Sequence, residues 1–216
     1  MGRADVVLRV TGVFLSLEGG EGVGKSTQVR RLGEALTARG IDVLVTREPG
    51  GSEGAEAIRG LLMQGDVARW SPHAETLLFA AARADHVEKT IRPALGAGRW
   101  VLCDRYVDST RAYQGAQDID DAAILALHGF GSKGLLPDRT LLLDLLPSTG
   151  NARAHGRDAG IADRFGARGP DFHQAVRRAF LAIAAAEPDR VRRVDADGVP
   201  ELVTDRLIAE LSDLLP

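Results

Sequence analysis

A chain of 216 residues, 44% hydrophobic and 26% charged, has the composition of one globular domain with a sizeable core. Its net charge of −3 gives no basic footprint for nucleic acid, and no apolar stretch reaches membrane-spanning length. The lone cysteine, Cys103, excludes an internal disulfide and a cysteine metal cluster, as suits a reducing cytoplasm.

Residues 1–12 mix Arg3, Asp5 and Arg9 with short apolar stretches and read as an N-terminal extension, not a secretory signal. Residues 13–216 read as one domain, opening on the apolar, β-rich run Val13–Glu18. Gly19-Gly20-Glu21-Gly22-Val23-Gly24-Lys25-Ser26-Thr27 follows and fits G-x-x-x-x-G-K-[ST]. Its glycines let the backbone fold into a nest whose N–H groups face phosphate oxygens. Lys25 reaches the β/γ-phosphates as a point charge, and Ser26 offers its hydroxyl to Mg²⁺. Val29, Leu32 and Leu36 then recur at helical spacing, so the loop sits between a strand and a helix. The helix N-terminus adds positive potential at the phosphates.

Gly40 stops that helix, and Asp42–Thr46 is the second strand. Arg47-Glu48-Pro49-Gly50-Gly51 ends it, either as a plain strand-to-helix turn or as a close backbone approach to a ligand. A long helix is predicted over Thr76–Leu95. Phe79 and Arg83 share one of its faces, as a stacking and edge-reading pair for a base or as a core Phe beside a solvated Arg.

Trp100–Asp104 is the third strand and delivers Asp104-Arg105. The carboxylate there suits Mg²⁺ or its waters, and the arginine suits a second phosphate; an ordinary strand-end ion pair is the rival reading. Asp108-Ser109-Thr110 and Tyr113-Gln114-Gly115 follow, and Gln114 can present a donor and an acceptor to a base. Thr140–Asp144 is the fourth strand. Gly150–Gly169, rich in Gly, Arg and Asp, reads as a mobile excursion. Val191–Asp195 is the fifth strand, followed by Ala196-Asp197. Apolar strands alternating with helices argue for an α/β fold whose parallel sheet is covered on both faces. Such sheets bind ligands at the carboxyl ends of their strands.

These segments together resemble the thymidylate kinase family, nucleoside monophosphate kinases of the P-loop fold. Thr46-Arg47-Glu48-Pro49-Gly50-Gly51 and Asp104-Arg105-Tyr106 through Ala112-Tyr113-Gln114-Gly115 are more specific to it than the phosphate loop. The resemblance covers about residues 13–210. It implies a three-layer P-loop NTPase fold, with a five-stranded parallel sheet flanked by helices and a small mobile lid over about 150–169. It implies Mg²⁺-dependent transfer from ATP to dTMP, giving dTDP and ADP, in a cytoplasmic homodimer. Phe79 would stack on thymine and Arg83 would bond its edge. Arg105 would hold the dTMP phosphate. Ser109, Tyr113 and Gln114 would line the nucleoside pocket, and Glu21 would lie near the acceptor. Glu48 and Asp104 would help organise Mg²⁺ and the acceptor phosphate. The loop lacks an arginine, so catalytic charge beyond Lys25 and Arg105 would come from the lid. Arg153 and Arg164 lead there, ahead of Arg157 and Arg168. Adenine contacts are expected near Asp195–Asp197. Two rivals stay open: a deoxynucleoside kinase with Glu18 or Glu48 as general base, and a nucleotide-binding switch that would not use Phe79, Arg83 or Arg105.

Overall fold

The computed structural model describes residues 12–146 and 164–216. Its strands are β1 (Phe14–Gly19), β2 (Val43–Arg47), β3 (Trp100–Asp104), β4 (Arg139–Asp144) and β5 (Val191–Asp195). They form one parallel sheet in the order β2-β3-β1-β4-β5. The helices are α1 (Lys25–Thr37), α2 (Glu53–Met63), α3 (Pro72–His86), α4 (Arg92–Gly96), α5 (Val107–Gly115), α6 (Asp121–Ser132), α7 (Pro170–Ala186) and α8 (Pro200–Ala209).

Strand register explains the two faces of the core. Leu15 pairs with Leu102 and Leu17 with Leu141, and side chains alternate across the sheet. That alternation puts Leu15, Leu17, Leu102, Leu141 and Leu143 on one face, with Leu32 and Leu36 of α1 and Val203 and Leu207 of α8. Phe14, Val101 and Cys103 face the other way, toward Val87, Ile91 and Tyr106. Each fully buried leucine stabilises the fold by roughly 1.5–3 kcal/mol. The central strand β1 is buried at every position, so its carboxyl end is held on both sides by β3 and β4. The phosphate loop springs from that fixed point. Among the described residues, no helix is long and apolar enough to cross a membrane.

The long helix departs from the expected Thr76–Leu95. It begins earlier, because Ser71 caps it by accepting from the Ala74 N–H and Pro72 occupies its first turn. It is also interrupted by a π-helical turn at Val87–Ile91 before α4. Pro93 has no N–H with which to continue the α-helical ladder. The turn places Thr90 where its hydroxyl donates to the Gly51 carbonyl at 2.7 Å. Of the expected lid, residues 147–163 lie outside the described part. Residues 164–169 form a turn before α7, with Arg164 and Phe165 buried.

Candidate active site

The loop after β1 takes backbone shapes that demand glycine. Gly19 has φ 141°, and a Cβ there would lie 2.5 Å from the Leu143 carbonyl oxygen of β4. Gly24, at φ 93°, caps α1. Lys25 curls over the loop and donates to the carbonyls of Gly19 (3.0 Å) and Gly20 (2.5 Å). Burial, helped by the charge of Arg105, lowers Lys25 to about 8 against the opposing pull of Glu21. Ser26 on α1 and Asp104 at the end of β3 line the same cavity of about 470 Å³. Among the described residues no cluster of three His, Cys, Asp or Glu could hold a metal by itself. One hydroxyl and one carboxylate suit Mg²⁺, which takes few protein ligands and several phosphate and water oxygens.

Arg105 stands in the middle of this cavity in a left-handed conformation, φ 68°. Its Nη1 donates to the Gly19 carbonyl and to Ser109 Oγ, each at 3.1 Å. Its Nη2 donates to Glu21 Oε1 at 2.8 Å and to Tyr113 Oη at 3.1 Å. Tyr113 Oη in turn donates to Glu21 at 2.7 Å. Burial opposes ionisation of Glu21, but Arg105 and then Lys25 outweigh it and hold the carboxyl at about 2. The expected set Glu21, Arg105, Ser109 and Tyr113 is therefore one bonded unit.

What holds Arg105 in its strained turn is Glu18. Its Oε1 accepts the Tyr106 N–H at 2.7 Å, and its Oε2 accepts the Ser109 hydroxyl at 2.5 Å. Burial, with Asp108 nearby, raises the fully buried Glu18 to about 7. Sequence reasoning had placed Glu18 only as a possible base for a rival reaction. Both its oxygens accept from the turn it organises, which gives Glu18 a structural role in holding Arg105.

The far end of the cavity is walled by Phe79, Gln114, Met63 and Phe165. Phe79 is half-buried, its ring 5.7 Å from that of Phe165. Arg83 lies on the same helical face but is buried rather than solvated. Its Nε donates to Glu48 Oε2 at 2.7 Å and its Nη2 to Thr110 at 2.9 Å. Glu48 lines the same cavity as Ser26 and Asp104. It is buried, with one oxygen on Arg83 and the other 3.1 Å from His86 Nδ1. A carboxylate clamped between two helix residues also anchors the turn. His86 Nε2 also meets Thr46 Oγ1 at 2.8 Å. No sequence signal singled out His86; its spacing from Arg83 would place both on one face of α3, which only the partner Glu48 makes meaningful.

Arg164, expected to carry catalytic charge, has an almost fully buried side chain. Its donors go to the carbonyls of Leu62 (2.7 Å), Asp66 (2.8 Å) and Val67 (3.0 Å), and to Glu75 at 3.0 Å. It satisfies the carbonyl end of α2 and the loop beyond, a structural use of its planar fork. Arg153 and Arg157 lie outside the described residues. Arg168 stacks over Phe172, 4.5 Å from the ring centre. At the ends of β4 and β5, Asp144, Asp195 and Asp197 share a second cavity with Arg177 and Arg193, both of which pair with Asp144.

The family model described as "Thymidylate kinase" matches residues 17–207. A curated relative named thymidylate kinase from Rhizorhabdus wittichii is 59% identical over 208 residues, 95% of this chain and 99% of its own length. Another from Caulobacter vibrioides is 53% identical over 205 residues, covering 94% and 96%. A solved structure titled as thymidylate kinase from Ehrlichia chaffeensis superposes with a TM-score of 0.77 at 30% identity, covering 94% of this chain and all of that one.

Proposed function

The chain belongs to the thymidylate kinase family, and from that premise we propose that it transfers the γ-phosphoryl group of ATP to dTMP, giving dTDP and ADP. One observation supports this reading above the rest. A single cavity runs from the phosphate loop, past Arg105, to the aromatic and amide wall of Phe79 and Gln114. It has a triphosphate end, a base end and a fixed cation between them.

The chemistry asks little covalent work of the protein. The acceptor is already a phosphate oxyanion, so no side chain need act as nucleophile, and catalysis is positioning plus compensation of charge. Lys25 exchanges its loop carbonyls for β/γ oxygens of ATP. Arg105, preset by Glu18, Glu21 and Tyr113, holds the dTMP phosphate facing the loop. Phe79 stacks on thymine, and Gln114 meets its edge. Tyr113 and Ser109 border the sugar, and Arg83 backs the base wall from Glu48. Ser26 and Asp104 would hold Mg²⁺ at the phosphate end of the cavity, where it would supply positive charge to offset the charge of the transferring group. Arg164 leaves the catalytic set because its donors are engaged elsewhere. Arg153 stays in it on the strength of the resemblance.

The reaction belongs in the cytoplasm, where ATP and DNA precursors are. A homodimer is the assembly the family resemblance implies. Exposed Leu61 on α2, Leu77 on α3 and Phe130 on α6 offer it an apolar face, since α3 packs against both α2 and α6. Purified protein with ATP and Mg²⁺ tests the assignment. It predicts turnover of dTMP and none of thymidine; turnover of thymidine alone would establish the deoxynucleoside kinase instead.

A further inference from the structure

Glu75, in the first turn of α3, is fully buried behind the base end of the cavity. Among the described residues, every hydrogen-bond partner of its carboxylate is a donor. Arg164 Nη2 lies 3.0 Å from Oε2, with both side chains 1% exposed. Arg168 Nη2 approaches Oε1 at 3.4 Å. The Nε2 atoms of Gln114 and Gln117 each donate to Oε1 at 3.0 Å. A carboxylate paired with arginine offers only acceptors. It therefore dictates which end of the Gln114 amide faces it. The NH₂ must turn toward Glu75, and the oxygen is what remains. That oxygen is buried and has no partner among the described residues, although Gln114 lines the cavity. An orphaned buried acceptor is unfavourable until a donor meets it.

We propose that Glu75 is a positioning residue for base selection: it locks the Gln114 amide so that an acceptor, and never a donor, faces the base. This rests on the reading above that the base sits against Phe79 and Gln114. Thymine and uracil carry an N–H donor at N3, whereas cytosine carries an acceptor there. The locked amide pairs with the former and repels the latter. Discrimination against cytosine is thus set by a residue that does not touch the nucleotide.

Glu75→Gln tests this directly. Arg164, the nearer guanidinium at 3.0 Å against 3.4 Å for Arg168, retains the oxygen of the new amide on its own side, which leaves the new NH₂ opposite Gln114 and Gln117. The Gln114 amide must then flip and face the cavity with its NH₂. The preference for dTMP over dCMP, read as the ratio of their dissociation constants, should fall by about tenfold or more. In a Gln114→Ala background the same substitution should leave the ratio unchanged. An unchanged ratio in the wild-type background, with Gln114→Ala still weakening dTMP, would overturn the role of Glu75 alone. Failure of the wild-type protein to bind dTMP would overturn the base-site reading and this inference with it. Should Glu75→Gln not fold, NMR on the wild-type protein with dTMP bound decides the matter. The side-chain NH₂ of Gln114 should show Overhauser contacts to Glu75, and contacts to thymine instead would refute the lock.

Discussion

Arg164→Ala separates an anchoring arginine from a catalytic one. The substitution removes a guanidinium that bonds three backbone carbonyls and one carboxylate, and it leaves Glu75 buried. Among the described residues, Arg168, at 3.4 Å, is the only other ion partner of Glu75. Breaking a buried pair from one side costs about 3–5 kcal/mol, chiefly because the survivor stays desolvated. Against a total stability of roughly 5–15 kcal/mol, that is a large fraction. For a domain of this size it lowers the unfolding midpoint by on the order of 10 °C. Thermal unfolding followed by circular dichroism reads the loss. Turnover measured well below the new midpoint reads catalysis, which should fall far less than the hundredfold or so expected for loss of a charge on the transferring group. Arg164→Lys should recover only part of the stability, because one ammonium cannot serve carbonyls spread over Leu62, Asp66 and Val67. An unchanged midpoint together with a collapse of turnover would refute the anchoring role and return Arg164 to the catalytic set.

Other substitutions have equally definite outcomes. Glu18 titrates at about 7 in the fold against an ordinary 4.5, so the stability it contributes is full below pH 4.5 and is lost as pH rises through 7. The loss amounts to about 3 kcal/mol, and Glu18→Gln should flatten that part of a urea-unfolding profile measured against pH. Glu21 is among the groups holding Lys25 up near 8, so Glu21→Gln should move the basic limb of ATP affinity to lower pH; a shift upward would contradict the assigned contacts. Phe79→Ala should raise the KM for dTMP about tenfold by loss of stacking while the KM for ATP holds.

The sheet was legible because its strands are short apolar runs bounded by turn residues, as at Trp100–Asp104. The phosphate loop was legible because its glycines carry a backbone requirement that sequence displays openly. Partner choice among charged residues was not. The resemblance assigns Glu48 and Arg83 to the ligand site, but it does not show that they also meet each other across 2.7 Å in a buried pair that joins the end of β2 to α3. Arg164 reads as lid charge because its neighbours are Gly, Asp and Arg, but its destination lies about a hundred positions away at the end of α2, a separation that periodicity does not encode. Glu75 and His86 carried no motif at all. Their importance comes from burial beside residues that do, which only the packing of α3 against α5 and the sheet reveals.

The central claim is that Arg105 marks the acceptor end of the cavity and Lys25 the donor end. Calorimetric titration of Arg105→Ala with dTMP and, separately, with an ATP analogue tests it most directly. Loss of charged hydrogen bonds to a phosphate costs roughly 1.5–3 kcal/mol each, so dTMP affinity should fall by at least about tenfold while ATP affinity stays within about threefold. Equal weakening of both nucleotides, or of ATP alone, would contradict it.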